Sequence, residues 1–128
     1  MRSPHVRVLL GRPEDTPADV VIRAGGRAGQ DGRIITVAAP RWERVNGPRH
    51  ALPEAYRQAV AAANARGASS MALPGILARG PWPLEEVTRV AMTVLRSTPT
   101  SLREVTIAVG TPAMVEVWAE AIIREPWP

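Results

Sequence analysis

The residues best suited to chemistry in this chain are ones that hold an anion. Gly75, Ile76, Arg79, Gly80 and Trp82 fall within eight residues of one another, in the segment Pro74-Gly-Ile-Leu-Ala-Arg-Gly-Pro-Trp-Pro83. Glycines let backbone N–H groups approach a ligand closely. An arginine offers a planar fork of donors that matches a phosphate or carboxylate. Pro81 and Pro83 contribute no N–H, so the backbone donors come from Ile76 through Gly80 and from Trp82, with Arg79 as the side-chain donor. A second cluster of the same type is Arg23-Ala-Gly-Gly-Arg27, where Arg23 and Arg27 lie within a residue or two of Gly25 and Gly26. Trp82 lies in a loop, where it can stack on a ring or close the edge of the core; the core edge is the preferred reading. Solvated arginines and an ordinary strand-to-helix connection are the plainer account of the rest.

Other chemistries lack their residues. Cysteine is absent, which excludes disulfides, thiolate metal sites and a thiol nucleophile. His5 and His50 are far apart and lack metal-ligand spacing. No serine stands in Gly-x-Ser-x-Gly, and Gly80-Pro-Trp lacks the Gly-Lys-Ser/Thr end of a nucleotide P-loop. Glu85 and Glu86 point to different faces of a helix and suit its positive end. No catalytic residue, metal or cofactor is assigned.

The elements that must position the two clusters follow from periodicity and punctuation. Apolar runs predict strands over 6–10, 19–22, 34–39, 70–73 and 105–109. Four glycines between Arg23 and Gly32 predict a flexible loop there, and residues 40–52 read as irregular. Helices are predicted over 53–66, 83–96 and 112–124, each opened by a proline, a residue suited to the first helical position. Gly67 sits where a C′ glycine belongs, and Thr111 is a good N-cap. Strands then alternate with helices through the second half, the order of βαβ units and a largely parallel sheet. Residues 75–82 thereby join the carboxyl end of a strand to the amino end of a helix, where open α/β sheets place ligands.

The chain has 128 residues, near the usual size of one domain, so 1–128 is read as a single domain. All sixteen basic residues are arginine, and the formal charge is +4. Biased codon usage is the plainer account of that. A charge this modest permits a phosphate-bearing partner, nucleic acid included, without demanding one. No run reaches transmembrane length and the first residues form no signal-type apolar region, so no membrane partner and a cytoplasmic location are expected.

The order of motifs resembles that of the macro domain, the α/β/α module known for binding ADP-ribose and its derivatives. Asp19-Val-Val-Ile-Arg-Ala-Gly-Gly26 occupies the place of the family's Asp-Ala-Ile-Val-Asn-Ala-Ala-Asn. Ile35-Thr-Val-Ala-Ala-Pro-Arg-Trp42 is similar to its His-Thr-Val-Gly-Pro, and Ala55-Tyr-Arg57 to its Cys-Tyr-Arg helix. Ser70-Met-Ala-Leu-Pro-Gly-Ile76 resembles Ser-Ile-Ala-Phe-Pro-Ala-Ile, and Trp82-Pro-Leu-Glu-Glu-Val87 resembles Tyr-Pro-x-Glu-Glu-Ala. The departures fall on ligand contacts. Arg12 stands for the family's adenine-reading Asp, Arg23 and Gly26 for its two asparagines, and Gly110 for the aromatic that often follows the last strand. The phosphate loop becomes Leu77-Ala-Arg-Gly-Pro-Trp82, one residue shorter to the next proline.

The resemblance implies a three-layer α/β/α fold with a mixed, mostly parallel sheet, reduced in its first half. It implies a binding module rather than an enzyme, for an ADP-ribose derivative or another phosphorylated small molecule. The ligand-binding residues it and the residue types suggest are Arg23, Gly25, Gly26, Gly75, Ile76, Arg79, Gly80, Trp82 and Gly110. A protein-interaction domain with a decayed pocket and a minimal ADP-ribosyl hydrolase are the alternatives. The oligomeric state is left open.

Overall fold

A computed structural model describes residues 3–39, 51–77 and 82–124. Its elements are β1 (His5–Leu10), a 3-10 turn (Pro13–Asp15), β2 (Val20–Gly25), β3 (Gly29–Asp31), β4 (Ile34–Ala38), α1 (Ala51–Ala65), β5 (Ser70–Pro74), α2 (Leu84–Ser97), β6 (Glu104–Val109) and α3 (Pro112–Ile123). The strands form one six-stranded sheet in the order β1-β6-β5-β2-β4-β3. Only β3 runs antiparallel to its neighbour. The expected mixed, mostly parallel α/β architecture is present.

The connections decide the layers. From β4 through α1 to β5, and from β5 through α2 to β6, the chain steps along the sheet in one direction, and right-handed crossovers put both helices on one face. α3 follows in the same direction and packs on β1 and β6 as well as on α2. The step from β1 to β2 runs the other way, so the 3-10 turn lies on the opposite face, against β2, β5 and β6. Among the described residues, the third layer consists of this turn and its flanks. Val105, Ile107 and Val109 join Met71, Leu73, Val20, Ile22, Ile35 and Val37 in the core beneath the helices. The alternate row Thr106, Ala72, Val21, matched in register, lies under the 3-10 turn.

Local signals explain the helix ends. After α1, Gly67 adopts φ +63°, its N–H donates to the Asn64 carbonyl and the Ala68 N–H donates to that of Ala63, which is the Schellman arrangement. At the start of α3 the Thr111 Oγ1 accepts from the Met114 N–H at 3.2 Å, with Pro112 at the first helical position. Pro83 stands one place earlier than expected, as the N-cap of α2. The chain is already helical at Ala51, the first described residue of α1 and two residues ahead of the expected start at Pro53.

One expectation is overturned. Residues 23–32 are not simply a flexible loop: β2 continues to Gly25, and β3 pairs with β4 as a hairpin. Gly32, at φ +59°, takes the first place of the two-residue turn that closes it.

Candidate functional site at the carboxyl edge of the sheet

All the parallel strands end on one edge of the sheet, and α1, α2 and α3 begin there. β1 runs into Gly11, whose N–H donates to the Val109 carbonyl at 2.8 Å, so Gly11 and Gly110 lie side by side at the ends of neighbouring strands. β2 ends at Gly25, whose carbonyl accepts from the Ala39 N–H at 2.9 Å. β5 ends at Pro74 and hands over to Gly75. Gly25, Gly75 and Gly110 therefore share this edge, and the capped amino end of α3 opens directly after Gly110.

Two of these glycines are required by close approach. A Cβ at Gly25 would lie 2.6 Å from Thr36 Cγ2. A Cβ at Gly75 would lie 2.7 Å from Val109 Cγ1, 2.9 Å from Met114 Cε and 3.3 Å from Trp118 Nε1. Gly75 thus lets the exit of β5 sink onto β6 and α3. Gly110 has open space around it, and Gly26 is exposed.

The side chains divide differently. Arg23 is exposed and is paired in register with Thr36, which puts it on the sheet face opposite the helices. Ile76 is half-buried. Trp82 is only 5% exposed and belongs to the core, so its ring serves packing, in line with the core-edge reading, and leaves little surface for stacking on a ligand. Arg79 and Gly80 lie outside the described residues, as do Trp42 and His50.

Sequence reasoning missed one participant. Tyr56 on α1 is fully buried, and its hydroxyl accepts a hydrogen bond from the Leu77 N–H at 3.3 Å. Burial drives its pKa far above the ordinary tyrosine value, and the bond from the Leu77 amide offsets this only in part. The hydroxyl is therefore neutral at working pH.

Among the described residues, no group of three or more His, Asp and Glu could hold a metal ion, and no helix is long and apolar enough to cross a membrane. A groove of about 760 Å³ runs between α2 and α3, over Thr88, Met92, Val117 and Ala121. None of the sequence-predicted site residues lines it.

No family model and no curated protein sequence matches the chain. Solved structures do. The macro domain of ganglioside induced differentiation associated protein 2 superposes with a TM-score of 0.77 at 13% identity, covering 96% of this chain and 86% of that one. A Trypanosoma brucei macrodomain in complex with ADP-ribose gives 0.74 at 17% identity, covering 92% and 69%. An Oceanobacillus iheyensis macrodomain with ADP gives 0.72 at 15% identity, covering 90% and 88%. Such identities speak for architecture alone, and on that architecture this chain has the macrodomain fold.

Proposed function

We propose that the chain is a macro-like binding module whose ligand is a phosphorylated small molecule of the ADP-ribose kind, held at the carboxyl edge of the sheet. The observation that carries this reading is the convergence of Gly25, Gly75 and Gly110 on that edge beside the amino end of α3. Glycine-lined backbone and a helix amino end together favour an anion. Structural neighbours that hold ADP or ADP-ribose add support.

The ligand contacts differ from the family pattern. Arg12 is exposed at the start of the 3-10 turn and makes no side-chain cap bond there. With arginine in place of the adenine-reading acid, and with Gly26 and Gly110 lacking side chains, ADP-ribose is expected to bind weakly, the phosphates contributing most. Arg79 is proposed as the side chain that meets them. Calorimetric titration with ADP-ribose, ADP, AMP and inorganic phosphate tests this. Weak binding that follows phosphate content supports the reading, and Arg79→Ala should then lower affinity by about 1–3 kcal/mol, the range for a lost charged hydrogen bond. Silence across the whole panel would favour a protein-interaction domain. A low-micromolar constant for ADP-ribose would show that base and ribose recognition survive. Release of ADP-ribose from a modified substrate would instead favour a hydrolase.

A further inference from the structure

The turn that leaves β5 is held from two sides. Gly75 sits down on Val109, Met114 and Trp118, with no room for a Cβ. Two residues on, the Leu77 N–H donates to the Tyr56 hydroxyl at 3.3 Å, and both of these residues are fully buried. A single oxygen on α1 thus reaches through the core to the backbone of the turn. A phenylalanine would fill nearly the same space; what the hydroxyl adds is an acceptor for a buried main-chain amide that belongs to no strand or helix.

We infer that Tyr56 is a positioning residue for the ligand site: its hydroxyl, acting through the Leu77 amide, sets the path of residues 75–77 where β5 enters the carboxyl edge. The functional consequence rests on the anion-binding reading above. A turn whose amide is released takes up several conformations, and only a fraction of them presents the backbone a phosphate needs, so affinity falls by that fraction. A tyrosine that merely fills the core would have no such effect.

Tyr56→Phe removes the oxygen and keeps the ring. Val60→Ala, one turn further along α1 and also in the core, loosens the same helix while keeping the Tyr56 hydroxyl that the Leu77 amide bonds, and serves as the control. The full chain of each is followed by amide hydrogen exchange without ligand, by thermal melting, and by calorimetric titration with ADP. In Tyr56→Phe, the Leu77 amide should exchange about tenfold faster relative to the Leu73 amide of β5, and the Kd for ADP should rise about tenfold, each corresponding to roughly 1.4 kcal/mol. Val60→Ala should lower the melting temperature yet leave both ratios unchanged. A Leu77 amide that stays protected in Tyr56→Phe, or an equal loss of ADP affinity in Val60→Ala, overturns the inference. So does a Leu77 amide found unprotected in the wild-type chain, which needs no variant. If ADP does not bind the wild type while Leu77 exchange still accelerates selectively, the anion-binding reading falls and the hold of Tyr56 on the turn stands. If ADP binds both proteins equally, the reading stands and the positioning role falls.

Discussion

Tyr56 is the only tyrosine, and the chain has neither lysine nor cysteine. Between about pH 9 and pH 12 it is therefore the only side chain that titrates, since arginine holds its proton throughout. Burial raises its folded-state pKa well above the ordinary value near 10. A raised pKa means that the folded state keeps the proton longer. The stabilisation is fully present below about pH 10, where the unfolded chain keeps it too, and is lost as the pH climbs from there toward the folded value. With one group the slope is at most about 1.4 kcal/mol per pH unit. Urea titrations at pH 9 to 11.5 should show this decline in the wild type and its absence in Tyr56→Phe; equal declines in both would place the alkaline sensitivity elsewhere. Gly75 gives a second residue-scale test. Its missing Cβ is occupied by Val109 Cγ1, so Gly75→Ala should cost about 1–3 kcal/mol by overpacking. Trimming the neighbour should relieve part of that, making Gly75→Ala with Val109→Ala cost less than the sum of the two single changes. Strict additivity in a double-mutant cycle would mean that Val109 is not what absorbs the added carbon, leaving Met114, Trp118 or the backbone.

At the level of elements, β6 is an interior strand, flanked by β1 and β5, and Ile107 at its centre is fully buried under the helices. Ile107→Ala should cost about 2–5 kcal/mol, read from denaturant midpoints; a loss well under about 1 kcal/mol would contradict an interior strand. This strand was legible in the sequence because Val105, Ile107 and Val109 alternate through a β-branched segment closed by Gly110. The helices were legible for a related reason: Pro112 behind Thr111, and Gly67 behind α1, are residues whose local geometry suits only a helix end. β3 was not. Its three residues, Gly29, Gln30 and Asp31, are all exposed and carry no apolar alternation. The signal that could have found it was Gly32 in a two-residue connection to the β-branched start of β4. The candidate site divides in the same way. Gly75 and Gly110 could be placed at strand ends from local pattern, whereas Gly25 read as part of a loop because β2 runs three residues past its apolar run. Tyr56 could not be linked to Leu77, because that contact joins residues 21 apart through the core. Trp82 was read as a core-edge ring from its loop position, and the structure buries it accordingly.

At the scale of the molecule, the described residues cover the two faces of the sheet unequally. A parallel sheet needs both faces covered, since its strands are apolar on both sides. Three helices serve one face, whereas Val21, Ala72 and Thr106 on the other are kept from water with the 3-10 turn packed against their strands. That turn has few means of its own to stay in place, for its three residues include none that is fully buried. Arg33, at the close of the β3–β4 hairpin, supplies the tether. Its guanidinium donates to the carbonyls of Glu14 at 2.6 Å, Thr16 at 2.9 Å and Ala18 at 3.2 Å. The acceptors are neutral backbone groups at fixed angles, so the planar fork matters more than the charge. Arg33→Ala should therefore destabilise the fold by about 1–3 kcal/mol, toward the lower end because the group is exposed to solvent. Arg33→Lys should recover little of it, since an ammonium on a flexible stem cannot span three carbonyls in one plane. The loss should also be nearly independent of salt, which separates it from an ion pair. Denaturant titrations of both variants at low and high ionic strength check all three statements. Full recovery by lysine, or a cost that vanishes in salt, would mean that the third layer is held by charge rather than by this fork of hydrogen bonds.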